Sequence, residues 1–334
     1  MTVLITGAAG HIGANLVRAL IEKGQQTRCL IHISCKAIEG LNTDIVQGDV
    51  RSLESLCRAF KDIDTVYHLA GSISISMDGW EQLEQTNVAG THNVVEACIR
   101  SGVRRLVYFS SIHAFKREHG DRPVDETTPL VDSPEYPPYD RSKAAGTLEV
   151  RKGIARGLDA VIVHPTAVIG PHDYQPSYLG EALLMMARGK LPALVPGGYN
   201  WVDARDVAAG AIAAAEKGPR GASYMLAGQW VSMRDMAATV EEITGVSGTK
   251  FLCPLWLVKT GAVLFALTGK INGKRPLYTS VSLQALQDSR NISHQKAARE
   301  LGYSPRRFRQ TLEDTLRWFR DNGKLRIDGK LKAG

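Results

Sequence analysis

Val3-Leu4-Ile5-Thr6-Gly7-Ala8-Ala9-Gly10-His11-Ile12-Gly13 opens the chain with a branched apolar run, three glycines spaced G-x-x-G-x-x-G, and the start of a helical pattern. The apolar run fits a buried parallel strand, and the glycines let the backbone turn sharply and approach an anion where a Cβ would collide. The helix that follows, Ala14-Asn15-Leu16-Val17-Arg18-Ala19-Leu20-Ile21, has amphipathic spacing and offers its unpaired N–H groups and positive dipole end to that anion. The stretch reads as a phosphate cradle. Its glycine spacing alone is a weak signal, and its place between a strand and a helix gives it meaning.

Outward from it, strand patterns recur at Thr27–Ile33, Thr43–Gln47, Thr65–Gly71, Arg105–Ser111 and Asp159–His164. Helical stretches separate them: Ser52 to Phe60 with a serine cap, a long run from Trp80 to Ser101, and Tyr139 to Gly157. This alternation predicts an α/β fold built on a doubly wound parallel sheet that binds its ligands at one edge. Ile112 to Pro138, rich in Pro, Asp and Glu, reads as a long surface loop. Beyond Gly170-Pro171 helical patterns (Leu179–Gly189, Ala204–Lys217, Met233–Thr244, Val281–Gln287, Thr311–Arg320) alternate with turn-rich segments. No internal repeat or low-complexity segment is present.

The 334 residues are 44% hydrophobic and 22% charged, an ordinary soluble composition. The net charge of +7 comes from scattered basic residues, which argues against nucleic acid as a partner. Five dispersed cysteines with no C-x-x-C pair argue against a zinc site or a disulfide frame, so no metal is expected, and they point to a cytoplasmic protein. The first apolar run is the first strand itself, which speaks against secretion. The most apolar later segment, Phe251 to Leu267, holds Pro254 and Lys259 and reads as a buried or interfacial helix without stable membrane insertion.

Chemistry is suggested by Tyr139-Asp140-Arg141-Ser142-Lys143, which places a tyrosine and a lysine four apart on one helix face. An ammonium beside a phenol favours the phenolate, so the pair predicts a tyrosine with a lowered pKa that exchanges a proton with an alcohol oxygen. Ser111, at a strand's carboxyl end, would steady that oxygen.

In this order the motifs resemble the extended short-chain dehydrogenase/reductase (epimerase/dehydratase) family: TGAAGHIG from Thr6, Asp49 after the third strand, HLAG from His68, NVAGT from Asn87, VYFSS from Val107, YDRSK from Tyr139 and HPTAVIGP from His164. The last run resembles the dihydroflavonol reductase-like branch more than sugar-nucleotide epimerases. The V-Y-G that family members often carry after the serines is replaced by Ile112-His113-Ala114-Phe115-Lys116. The loosening of the strand–helix rhythm divides the chain into a dinucleotide-binding core over 1–170, a remainder of sheet plus smaller substrate lobe over 171–322 and a basic tail over 323–334; the resemblance implies a Rossmann-type core and a homodimer.

It also implies that Ser111, Tyr139 and Lys143 are catalytic. Gly7, Ala9, Gly10, His11 and Ile12 would line the pyrophosphate, Asp49 and Val50 the adenine, Leu69, Ala70 and Gly71 the middle of a nicotinamide cofactor, and Pro165 to Val168 its nicotinamide side. Ser72 and His113 fall on the substrate side, with His113 equally readable as a structural hydrogen-bonder. Asn87 is as readable as structural as it is catalytic. NAD selection needs a carboxylate about twenty residues after the glycine turn. Between Glu22 and Glu39 there is none, whereas His32, Ser34 and Lys36 are present, so NADP(H) is favoured over NAD(H), with His32 and Lys36 as its cations.

The first functional expectation is therefore an oxidoreductase acting on a small or hydrophobic carbonyl or alcohol. The second is a nucleotide-sugar epimerase or dehydratase with tightly bound NAD, which would need a diphosphate clamp from Arg188, Lys190, Arg220, Arg234 or Arg275. The third is a non-catalytic NADP-binding sensor.

Overall fold

Thr2–Thr6 forms β1, His11–Glu22 forms α1, and the chain then lays down β2 (Gln26–Ile31), β3 (Asp44–Gln47), α2 (Leu53–Ala59) and β4 (Thr65–His68). The structure is a computed structural model describing residues 2–117, 122–254, 257, 279–287 and 291–326. After a helical stretch come β5 (Arg105–Phe109), a helix at Pro138–Ala155, β6 (Ala160–Pro165) and β7 (Ala167–Ile169). Next are Tyr178–Ala187, β8 (Gly198–Asp203), Ala204–Lys217, β9 (Ser223–Leu226), β10 (Gln229–Ser232) and the helix Met233–Thr244. Three further helices, Ser280–Ala285, Gln295–Leu301 and Phe308–Asp321, close the described chain.

Seven strands make one sheet in the order β3-β2-β1-β4-β5-β6-β9. Every described pair in it is parallel. Strand residues alternate between two cores: Val3, Ile5, Val107, Phe109, Val161 and Val163 face one side. Leu4, Leu106, Tyr108, Ala160 and Ile162 face the other. A strand buried on both faces must be apolar throughout, which is why these segments read as continuous runs. The second sheet, β10-β8-β7, pairs β10 with β8 antiparallel and β7 with β8 in parallel. Its own core includes Leu183, Met186, Trp201, Met236, Leu286 and Leu312.

One expectation is refined and one corrected. The run from Trp80 to Ser101 is helical as expected, α-helical over Trp80–Leu83, π-helical over Glu84–Ala89 and α-helical again over Gly90–Arg100. The wider turn lets Asn87 reach sideways instead of continuing the regular ladder. The stretch 112–138 is also more than a surface loop. Phe115, Val124 and Val131 are buried in a small core with Ala144 and Met225, and Phe115 and Val124 bridge to Leu130 and Ile292. Of the Phe251–Leu267 segment, residues 255–256 and 258–267 lie outside the described residues, as do Arg275 and tail residues 327–334. Its start, at Phe251 and Cys253, hydrogen-bonds to Leu194. No described helix is long and apolar enough to cross a membrane.

The helix α1 is seated by Gly13, where a Cβ would stand 2.2 Å from the Gly7 carbonyl oxygen and 2.8 Å from Ala8 Cα. These are backbone atoms, which have no rotamer to yield. Gly13→Ala should therefore destabilise the fold by about 1–3 kcal/mol, read as a lower denaturation midpoint in urea at unchanged slope. An unchanged midpoint would show that α1 does not need this close approach.

Candidate active site

The carboxyl ends of the parallel strands gather the groups that matter. After β1, Gly7 turns at φ +70°, where an added Cβ would lie 2.7 Å from Ala70 N. Gly10 caps α1 without a capping side chain, so the first-turn N–H groups face the cavity mouth as an anion cradle. The His11 ring is drawn away from that role, its Nε2 lying 3.1 Å from the carbonyl oxygens of both Gly170 and Pro171. Asn15 Nδ2 donates to the Pro171 oxygen as well (2.9 Å), so the cradle helix is tied to the chain leaving β7.

After β4, the buried His68 ring bridges Thr6 Oγ1 (2.8 Å) and Thr91 Oγ1 (3.1 Å). Burial pushes its pKa down to about 3, with Lys143 adding to the effect, which keeps it neutral. Asn87 is a structural clamp: its Oδ1 accepts from Ser72 N (2.8 Å), while Nδ2 donates to Ser72 O and Ser142 Oγ (both 2.9 Å). It joins the strand-end loop to the helix Pro138–Ala155. That helix can come so close because of Gly146, where a Cβ would stand 2.6 Å from the Asn87 carbonyl oxygen and 2.5 Å from the Tyr108 hydroxyl.

The helix delivers Tyr139 and Lys143 opposite Ser111, which follows β5 by two residues. Lys143 is buried and donates from Nζ to the Phe109 carbonyl (2.9 Å), and burial pulls its pKa down to about 8. Gly71 stands below it, where a Cβ would come within 3.6 Å of Nζ. The Tyr139 phenol is pushed up to about 12 by burial first, with Asp140 also raising it and a hydrogen bond from Ser111 pulling the other way. The expected lowering by Lys143 is not seen: desolvation of the phenolate outweighs the Ser111 hydrogen bond, and the charge that acts on the phenol is Asp140. Asp140, which the sequence reading passed over, is 3% exposed. One of its oxygens lies 3.1 Å from His113 Nδ1 and the other 3.2 Å from Arg117. The His113 ring also meets Tyr139 edge-on.

A cavity of about 470 Å³ runs past these groups. Gly7, Gly10, His11, Ile12, Leu69, Gly71, Ser72, Ser111, His113, Tyr139, Lys143, Pro165 and Val168 all line it, and its lobe side is mostly apolar, with Met186, Leu191, Trp201, Met236 and Leu286 beside the uncharged Tyr199, Asn200 and Ser282. Ala9, His32, Lys36, Asp49, Val50 and Ala70 are not on its wall. His32 and Asp49 meet instead beyond the ends of β2 and β3, 3.3 Å apart. Of the diphosphate-clamp candidates, Arg188 donates to the Lys324 carbonyl and lines a separate surface recess with Lys190 and Arg326. Arg220 donates to the Ile154 carbonyl, and Arg234 is exposed and off the cavity wall. The cavity's own described cations besides Lys143 are Lys116, paired with Asp132, and Arg117, paired with Asp140. No described group of His, Cys, Asp and Glu could hold a metal ion.

Residues 3–227 match the model of the NAD-dependent epimerase/dehydratase family, and the chain belongs to that family. It is 34% identical to the "Sterol demethylase protein B" of Methylococcus capsulatus, across 97% of this chain and 100% of that one. It is 32% identical to the "Putative dihydroflavonol 4-reductase" of Synechocystis, across 96% and 94% of the two chains. Among solved structures, that of gox2253 superposes with a TM-score of 0.85 at 31% identity, covering 97% of this chain and 99% of that one. The extended short-chain dehydrogenase/reductase resemblance and the parallel Rossmann-like core are thereby established.

The buried ammonium has a stability signature. With a folded pKa near 8 against the ordinary lysine value of 10.5, Lys143 binds more protons in the unfolded chain between those pH values. Its contribution to stability therefore rises with pH across that window. Relative to Lys143→Met, the wild type should gain about 3 kcal/mol from pH 8 to 10.5, measured by urea unfolding at several pH values. Parallel pH profiles would show that the ammonium is not desolvated.

Proposed function

We propose that the protein is an NADP(H)-dependent reductase/dehydrogenase of a hydrophobic carbonyl or alcohol, with Tyr139 as its acid/base. One observation carries the reading: Ser111, Tyr139 and Lys143 share a cavity whose lobe wall is mostly apolar and whose described cations are all paired or buried. An oily ketone or secondary alcohol suits that wall, and a nucleotide diphosphate has no described clamp in it. The names of the two relatives, a sterol demethylase protein and a dihydroflavonol reductase, agree with a substrate of this kind.

A dinucleotide fits the residues present. The uncapped first turn of α1 leaves backbone donors for a pyrophosphate, the side-chain-free Gly7 and Gly10 let it approach the turn, and the absent Cβ of Gly71 leaves space beside Lys143 Nζ for a ribose. When bound, the nicotinamide supplies or accepts the hydride. The chain's own residues do the rest. Ser111 Oγ and the Tyr139 hydroxyl hold the substrate oxygen, and a phenol raised to about 12 stays protonated at neutral pH, ready to give its proton to a developing alkoxide. Lys143, anchored on the Phe109 carbonyl, lies where it would hold the ribose. The five free cysteines suit a reducing cytoplasm.

Tyr139→Phe should lower turnover by roughly 100- to 10,000-fold while NADPH titration stays unchanged. Net loss of nicotinamide absorbance with apolar ketones supports the reductase, and product without net oxidation of the cofactor would establish the epimerase. A Tyr139→Phe enzyme at wild-type rate would refute the acid/base assignment.

A further inference from the structure

The loop after β4 is fastened at its two ends and at one point between them. At one end Asn87 holds both Ser72 N and Ser72 O; at the other, the Arg141 guanidinium lies 4.2 Å from the centre of the Trp80 ring. Between them the chain folds on its own hydroxyls, with Ser76 N donating to Ser74 Oγ (3.2 Å) and Ser76 Oγ donating to the Asp78 carbonyl (3.1 Å). Among the described residues, one hydrogen bond ties 73–78 to a distant part of the chain: Thr279 Oγ1 donates to the Ile75 carbonyl at 2.6 Å.

Thr279 has that proton to give. It caps the helix Ser280–Ala285, where its Oγ1 accepts from Ser282 N (3.1 Å) and its N donates to Ser282 Oγ (2.8 Å). Val281, Ser282 and Ala285 of that helix line the cavity, as do Ser72 to Ile75 of the loop. The bond therefore joins a wall built on the large sheet to a wall of the lobe. Among the described residues of the cavity wall only Gly10, Gly71 and Ile73 are exposed, and of these only Ile73 carries a side chain. The cavity thus reaches the surface at this loop, which holds two large apolar side chains in solvent, Ile73 at 63% and Met77 at 53% exposure.

We propose that residues 73–79 are the door through which an apolar substrate enters the cavity, and that the Thr279–Ile75 hydrogen bond is its clasp. The inference takes from the function proposed above only that the occupant is apolar. Ile73 and Met77 give such a molecule its first contact, and closure behind it keeps water from the reacting groups. One hydrogen bond, net of competition from water, shifts an open–closed ratio by roughly 2- to 12-fold. That is enough to favour closure and little enough to break in every cycle.

The test reads binding without turnover. Full-length protein saturated with oxidised cofactor, NADP+ or NAD+, is mixed by stopped flow with prodan, a fluorescent apolar naphthyl ketone. Thr279→Asp keeps a cap for Ser282 N but has no proton for the Ile75 carbonyl at neutral pH, whereas Thr279→Ser keeps both. In Thr279→Asp the association and dissociation rates of prodan should both rise by roughly three- to tenfold at an unchanged ratio. Amide hydrogen exchange over 73–79 should quicken by the same factor, and Thr279→Ser should match the wild type throughout. A helix merely loosened by the substitution would weaken binding through faster dissociation alone, and that result would overturn the clasp, as would rates equal to wild type. A wild type that does not bind prodan overturns the apolar occupant, and with it the function proposed above. Because no turnover is read, failure of the clasp and failure of the reductase reading are told apart.

Discussion

Seven parallel strands bring all their carboxyl ends to one edge, and nearly everything chemical in this protein follows from that geometry. The glycine turn after β1, Gly71 after β4, Ser111 after β5 and Pro165 at the end of β6 are neighbours because their strands are. Tyr139 and Lys143 come from a helix, and reach the same edge only because Gly146 lets that helix rest on the π-helical turn at Asn87. The unusual backbone of Glu84–Ala89 and the absence of a side chain at residue 146 are two halves of one fit.

Burial then sets the chemistry of what has been gathered. Lys143 is pulled down and Tyr139 pushed up, so the site disfavours both of their charged forms. A lysine chosen only to ionise its neighbour would sit in a wetter place. Here the ammonium is held by a backbone carbonyl and the phenol keeps its proton. Asp140, between His113 and Arg117, adds a compensated negative charge immediately behind the phenol.

The fold was legible wherever burial enforces a pattern. Val3 to Gly13 fell into strand, turn and helix as read, and Ala204–Lys217 and Met233–Thr244 form helices with those bounds. The π-helical turn left no trace, because shifting a hydrogen-bond ladder by one residue hardly alters the spacing of apolar side chains. Phe115, Val124 and Val131 were hidden among prolines and acids that resemble a solvated loop. The His32–Asp49 contact escaped because counting residues after the glycine turn follows one strand only, whereas sheet pairing sets the end of β3 beside the end of β2. Asp140 escaped for a simpler reason: attention to the Tyr–Lys spacing passed over the residue directly after the tyrosine.

The chain does not finish one layer before starting the next. It leaves the large sheet at Thr166, returns from β8 directly into Ala204–Lys217, and departs again between β9 and β10. The helix Gln295–Leu301 then rejoins the first core through Ala297 and Leu301, before Phe308–Asp321 ends in the lobe. A lobe stitched in this way cannot be exchanged as a module, since any transplant would have to match several junctions at once. New substrate preferences must therefore arise in place, one wall residue at a time, with the strand-end residues of the large sheet left untouched.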